Sequence, residues 1–197
     1  HRNGTRPDRG ALDDGGSAMT VAKGLGSKLG VTVRPLSREH VTDVYVGWLN
    51  DPDVTRFTEV RSPQTIDSVS RYVDENSAAA DATVWRIIKG EEHVGNIRLS
   101  RINRTHRRAE IAILIGAKHR WGEGIGPAAI DLVSSFAFLD LGLRKLVAGI
   151  LSPNVGSIRA FEKAQYNIEA VQHRHAQCGE EICDNVLLAR FADETGE

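Results

Sequence analysis

The chain has 197 residues, 41% of them hydrophobic and 26% charged, with a formal net charge of -1. That is enough apolar material for one domain with its own core, and no apolar run reaches the roughly 18 residues of a membrane span. The near-zero charge leaves no electrostatic footprint for nucleic acid or an anionic membrane, and two cysteines without an apolar leader read as a reduced, cytoplasmic protein.

Residues 1–18 hold four glycines, charges of both signs and Leu12 as the single large aliphatic residue, a composition that does not build a core. Met19 is the only methionine. Residues 1–24 are therefore expected to be a disordered N-terminal extension or a remnant of upstream sequence, with one domain over 25–197. Gly24-Leu25-Gly26-Ser27-Lys28-Leu29-Gly30 precedes a strand instead of following one, so it reads as a flexible lead-in and not a phosphate loop.

From there the chain alternates. Val31 to Leu36 reads as a strand. Ser37 is an N-cap whose capping box is incomplete, because His40 stands where Glu is wanted. The helix it opens is expected to reach about Leu49 and to stop at Asn50-Asp51-Pro52-Asp53, with Val41, Val44, Tyr45, Trp48 and Leu49 at helical spacing. Ser62-Pro63 is expected to open a second helix through about Asn76. Thr83 to Lys89 is a strand, Lys89-Gly90-Glu91-Glu92 a turn, and Val94 to Ile102 and Arg107 to Ile115 the next strands. A helix follows from Ile125 to Leu141, then a strand over Lys145 to Leu151 and a helix over Asn154 to Ala164. Ile168 to His175 and Ile182 to Phe191 close the chain as a hairpin. The order β-α-α-β-β-β-α-β-α-β-β predicts a mixed α/β sheet with helices on its faces.

The most informative stretch is Arg120-Trp121-Gly122-Glu123-Gly124-Ile125-Gly126-Pro127, between a strand and a long helix. Three glycines at alternate positions strip the helix entrance of side chains, so its free N–H groups and the positive end of its dipole can meet a phosphate. The dinucleotide fingerprint does not fit: the spacing is G-x-G-x-G, it lies past mid-chain, and Asp140 falls inside the following helix. A nucleotide P-loop does not fit either, since no Gly-Lys-Ser/Thr follows. The alternative is a glycine-rich turn with no ligand. The second motif is Asn154-Val155-Gly156-Ser157-Ile158-Arg159-Ala160-Phe161-Glu162-Lys163-Ala164-Gln165-Tyr166.

In that order, and bracketing one strand, the two motifs resemble the GNAT superfamily of acetyl-CoA-dependent N-acyltransferases. The first is similar to its Q/R-x-x-G-x-G/A loop in the Rim-type W-G-x-G-x-G/A form, the second to N-x-x-S-x-x-x-x-E-K-x-G-F. The resemblance runs from about Val31 to Phe191. It implies a mixed, mostly antiparallel central sheet splayed in the middle, with helices on both faces. It also implies acetyl-CoA as cosubstrate, the backbone of Ile113, Leu114 and Ile115 pairing with its pantetheine arm, and the amides of Trp121, Gly122, Glu123, Gly124, Ile125 and Gly126 holding its pyrophosphate. Phe161 is expected to pack near that arm. It stands where many relatives carry Tyr, the acid for the departing thiolate, and Gln165 replaces a glycine at the helix exit.

An amine must lose a proton to attack a thioester, and Glu110, at the start of the strand entering the cleft, is the candidate base. A charged residue on a solvated strand end is the other reading. Ser157 matches the Rim-type residue assigned to protonate the sulfur, and Asn154 is both an N-cap and a candidate pantetheine or water contact. For the acceptor, the segment from Trp48 to Arg61 is similar to amino-sugar and surface-polysaccharide acetyltransferases. Trp48, Arg56, Glu59 and Arg61 are its candidate binding residues, the arginines for phosphate and Glu59 for an ammonium. Arg101, Arg104, His106, Arg107 and Arg108 form a basic cluster, read as either a solvated tip or an anion contact. His173, His175, Cys178 and Cys183 make a zinc site conceivable, but at no standard zinc spacing, and no metal is expected. The expected activity is acetyl transfer to a small primary amine such as an amino sugar. The alternatives are acetylation of a protein N-terminus of the ribosomal-protein alanine type, and a non-catalytic acetyl-CoA-binding module. Neither nucleic acid nor a membrane is an expected partner, and the resemblance leaves room for a homodimer.

Overall fold

The structure, a computed structural model, describes residues 25–60 and 63–192. Its chain order is β1 (Ser27–Lys28), β2 (Val31–Pro35), α1 (Asp43–Asn50), α2 (Pro52–Thr55), α3 (Ile66–Ala78), β3 (Thr83–Lys89), β4 (Glu92–Asn103), β5 (Arg108–Ile115), α4 (Ile125–Leu139), β6 (Lys145–Leu151), α5 (Val155–Lys163), β7 (Asn167–Cys178) and β8 (Glu181–Phe191). The expected extension over 1–24, Arg61 and Ser62 lie outside the described residues.

One eight-stranded sheet runs in the order β1-β2-β3-β4-β5-β6-β8-β7. Every neighbouring pair is antiparallel except β5 and β6, the two strands that α4 connects. A parallel pair needs such a crossover, whereas antiparallel neighbours can be joined by hairpins. The α/β expectation and the mostly antiparallel sheet therefore hold.

Helix α4 covers one face of the sheet. Ile130, Val133, Phe136 and Ala137 are buried along it, and Phe136 meets Trp85 of β3 edge-on at 5.8 Å. Ser134, also buried, bonds Ile130 O at 2.7 Å and shares a hydrogen with the Tyr166 hydroxyl at 2.8 Å. Asp131 accepts from Lys28 at 2.5 Å and Arg190 at 2.8 Å, tying both β1 and β8 to this helix. On the other face Val69 and Val73 of α3, together with Tyr45 of α1, complete the core.

Two helix starts differ from the sequence expectation, each for a local hydrogen-bonding reason. The first helix splits. A 3-10 turn at Arg38–His40 ends at Val41, and Thr42 caps a fresh helix by accepting from Tyr45 N at 3.3 Å. The Ser37 cap is also more complete than expected, since the His40 ring takes the Ser37 N–H at 3.1 Å, the part Glu usually plays. The α3 helix starts after Pro63, because Thr65 and Ser68 satisfy each other's backbone N–H, at 3.2 and 3.0 Å. At the end of α5, Gln165 adopts φ 68 without being glycine. That left-handed turn costs about 1–2 kcal/mol, and it delivers the buried Tyr166 against Phe161, 5.0 Å away.

The two cysteines correct the reduced-thiol expectation: Cys178 and Cys183 are joined as a disulfide across the β7–β8 turn. Spacing within one hairpin brings them together, which composition cannot reveal. No helix among the described residues is long and apolar enough to cross a membrane.

Gly116, just after β5, lies flat against the Trp48 ring, and a Cβ there would overlap the indole core. Both groups are fixed, Gly116 N by Val94 O at 2.9 Å and Trp48 by edge contact with His93 at 5.1 Å. Gly116→Ala is expected to lower stability by about 1–3 kcal/mol through overpacking, read as a lower denaturant midpoint at unchanged slope.

Candidate active site

Strands β5 and β6 pair only over Arg108–Glu110 against Lys145–Val147. Beyond Glu110 they diverge, because β5 follows β4 as far as Ile115 while β6 follows β8 as far as Leu151. The result is a V-shaped gap inside a continuous sheet. Its walls, Ile111–Ile115 and Ala148–Leu151, line an open cleft of about 1470 Å³. Main-chain groups facing the gap have no ladder partner across it, an arrangement that an inserted extended molecule can satisfy.

The mouth of α4 lies along the same cleft, with Trp121, Gly122, Gly124, Ile125 and Gly126 in its lining. Gly122 and Gly124 stand at φ 88 and 76, so glycine is required for the turn itself. Gly124 is the N-cap and no side chain caps this end. The amides of Ile125 and Gly126 are thus left without an intrahelical acceptor at the positive end of the helix dipole. The amides of Trp121 and Glu123 are not available, because they bond Lys118 O at 3.0 Å and Arg120 O at 3.4 Å. The Glu123 carboxylate faces Arg120, which also holds Glu92 at 2.9 Å. Trp121, half exposed, donates its Nε1–H to Ile115 O at 2.9 Å and pins the loop to the end of β5. A Cβ at Gly126 would meet only Ala160, at 3.6 Å, so packing does not demand glycine there.

Helix α5 contributes the opposite rim. Asn154 caps it, accepting from Ser157 N at 3.2 Å, and both residues line the cleft. Phe161 also lines it and is otherwise buried against Tyr166. Glu110 stands at the apex of the V, paired with Ser100 and Val147 in register, yet it is absent from the cleft lining. Its carboxylate is half exposed and accepts from Arg101 at 2.8 Å. The basic cluster is a hairpin tip beside the cleft: Arg107 Nε bonds Gly142 O at 2.7 Å and Arg144 Nε bonds His106 O at 3.2 Å.

At the acceptor end, Arg56 and Glu59 line the cleft, whereas Trp48 is buried behind it and Tyr45 and Leu49 face it instead. Arg61 lies outside the described residues. The zinc grouping is taken apart: both sulfurs are in the disulfide, and both histidines lie within the irregular stretch between Gln172 and Ala176. His173 turns to Asp184 at 3.1 Å and His175 to the cleft. The lining also holds Tyr72, Asn96 and Arg98, which no motif marks, and His175, which the sequence offered only as a conceivable zinc ligand. The strand alternation of Asn96 and Arg98, two polar residues within an apolar strand, was the available signal.

Burial keeps His93 below its ordinary titration range, with the Arg86 charge adding to the effect. His40 is lowered by the same two causes in the same order. The folded state therefore binds fewer protons than the unfolded chain near pH 6.5, and stability must drop as pH falls through that value. The denaturant midpoint is expected to be lower at pH 5 than at pH 7.5, and His93→Gln is expected to flatten part of that drop.

Residues 31–167 match the family model described as Acetyltransferase (GNAT) domain. An uncharacterized N-acetyltransferase p20 of Bacillus licheniformis is 25% identical, covering 83% of this chain and 94% of that protein. Spermidine N(1)-acetyltransferase of Escherichia coli strain K12 is 28% identical over 71% of this chain and 74% of its own. Among solved structures, the RimL ribosomal L7/L12 alpha-N-protein acetyltransferase in complex with coenzyme A superposes with a TM-score of 0.77 at 14% identity, over 87% of this chain and 99% of that one.

Proposed function

The chain belongs to the GNAT acetyltransferase family and is an acetyl-CoA-dependent N-acetyltransferase; from that premise we propose that its acceptor is a small primary amine, an amino sugar being the leading class. The observation that carries the reading is the V between β5 and β6, with an uncapped helix mouth along the same cleft. Pantetheine, a linear chain of amides, extends along Ile113, Leu114 and Ile115 as an added strand. Its pyrophosphate meets the amides at Ile125 and Gly126, and the thioester then points to the apex of the V. There the amine nitrogen attacks the carbonyl carbon, an N–C bond forms, and the C–S bond breaks to release coenzyme A.

Glu110 at the apex is the group that takes the amine proton, through water, since its own carboxylate is turned to Arg101. Ser157, near the cofactor arm on α5, supplies the proton to the departing sulfur, because Phe161 has none to give. Asn154 serves first as the helix cap, which holds Ser157 in place. Arg56 and Glu59 frame the acceptor opening. A protein N-terminus as acceptor is the competing reading, and rates with amino sugars against N-terminal peptides divide the two.

Two variants test the assignment. Gly126→Val is expected to leave the fold intact and to weaken acetyl-CoA binding by roughly tenfold or more, since each 1.4 kcal/mol of crowding is a factor of ten; calorimetry reads it. Glu110→Gln is expected to lower kcat/KM by about a hundredfold, a typical general-base contribution. Full activity of that enzyme across pH would remove Glu110 from the mechanism.

A further inference from the structure

The acceptor end of the cleft holds hydrogen-bond donors that acetyl transfer does not use. Asn96 on β4 lines the cleft and is only 7% exposed. His93 Nε2 lies 3.1 Å from Gly95 O and 2.9 Å from Asn96 Oδ1. A backbone carbonyl only accepts, so that nitrogen carries the proton and donates to both oxygens. This fixes the orientation of the amide. Oδ1 faces His93, and the buried Nδ2, with two N–H groups, has no partner.

Arg98 stands two residues along the same strand, so both side chains leave one face of β4. Its guanidinium lies over the Tyr72 ring at 5.9 Å, and its Nε–H is buried with no partner either. Asn96 and Arg98 pair in register with Leu114 and Ala112 of β5, which puts them one strand, about 5 Å, from the edge of the V. Arg86, cross-strand from Asn96, adds a second positive charge beneath the recess. The acids in the lining do not cancel this charge. Asp53 is held by Lys118 at 2.9 Å, and Glu59 lies in the field of Arg101.

Orphaned donors beside uncompensated guanidinium groups match a ligand made of acceptors and negative charge. We infer that the amine acceptor also carries an oxyanion, a carboxylate or a phosphate, which Asn96 Nδ2 and Arg98 Nε receive while the amine reaches the apex of the V. This rests on the acetyltransferase reading and narrows its substrate class. It disfavours a polyamine, whose remaining charges would face Arg98 and Arg86.

The test compares matched pairs that differ only in the anion: glucosamine 6-phosphate with glucosamine, and L-alanine with L-alaninamide, with spermidine as the cationic arm. Each is assayed for kcat/KM at saturating acetyl-CoA, and for affinity by calorimetry on the coenzyme A complex, so that the comparison does not depend on turnover. The anionic member of one pair is expected to win by roughly tenfold or more, in line with a charge-assisted hydrogen bond, and the winning pair separates phosphate from carboxylate. In Asn96→Leu and Arg98→Met that ratio should fall toward one, through KM for the anionic member. Preference for the neutral amines or spermidine, or a ratio untouched by both substitutions, overturns the inference and leaves the acetyltransferase reading standing. Absence of coenzyme A binding overturns both.

Discussion

The parallel pairing of β5 with β6 stops after three residues, and the rest of the molecule's chemistry depends on that interruption. A sheet edge is normally at the outside, where water satisfies it or another chain adds to it. Here two edges face each other within the sheet, between strands that are each fully paired on their other side. The gap is built from backbone, and its unpaired amides and carbonyls are of the kind that an extended, amide-bearing chain can meet.

Helix α4 gives the gap its polarity. As the crossover between the diverging strands it must start near one of them and finish near the other, and its start is at the end of β5. Glycine at φ 76 on the cap position and no capping side chain leave the positive end of the helix open along the cleft. Side-chain caps are used elsewhere in this chain, by Thr42, Asp51, Thr65 and Asn154. Their absence at α4 is selective. The other α-helices among the described residues each have a side-chain cap, whereas the first amides of α4 face the cleft without one.

The acceptor side is organised by a different rule. The face of β4 opposite α4 carries Asn96 and Arg98, covered by α1 and α3 and by the ring cluster of Tyr45, Trp48 and His93. Burial pushes the Tyr45 phenol up and holds the neighbouring His93 below its ordinary range. The recess is therefore polar and positively biased by its arginines.

Much of this was legible in the residue order. Three alternating glycines before an apolar helix, and Asn154 opening the next one, are signals whose physics is local: a backbone turn, a cap, a dipole. The α/β alternation is local too, because strand and helix periods are written in successive side chains. What the sequence could not carry were relations between distant segments. The turn from Glu110 toward Arg101, the retreat of Trp48 behind Gly116, the joining of Cys178 to Cys183 and the unpaired amide of Asn96 each depend on a neighbour brought in by another strand or helix. Residue order determined which pieces form and which helix start is left open by glycine. Only the packed sheet decided which side chains meet in the cleft, because register and burial arise between chain segments and are properties of no single one.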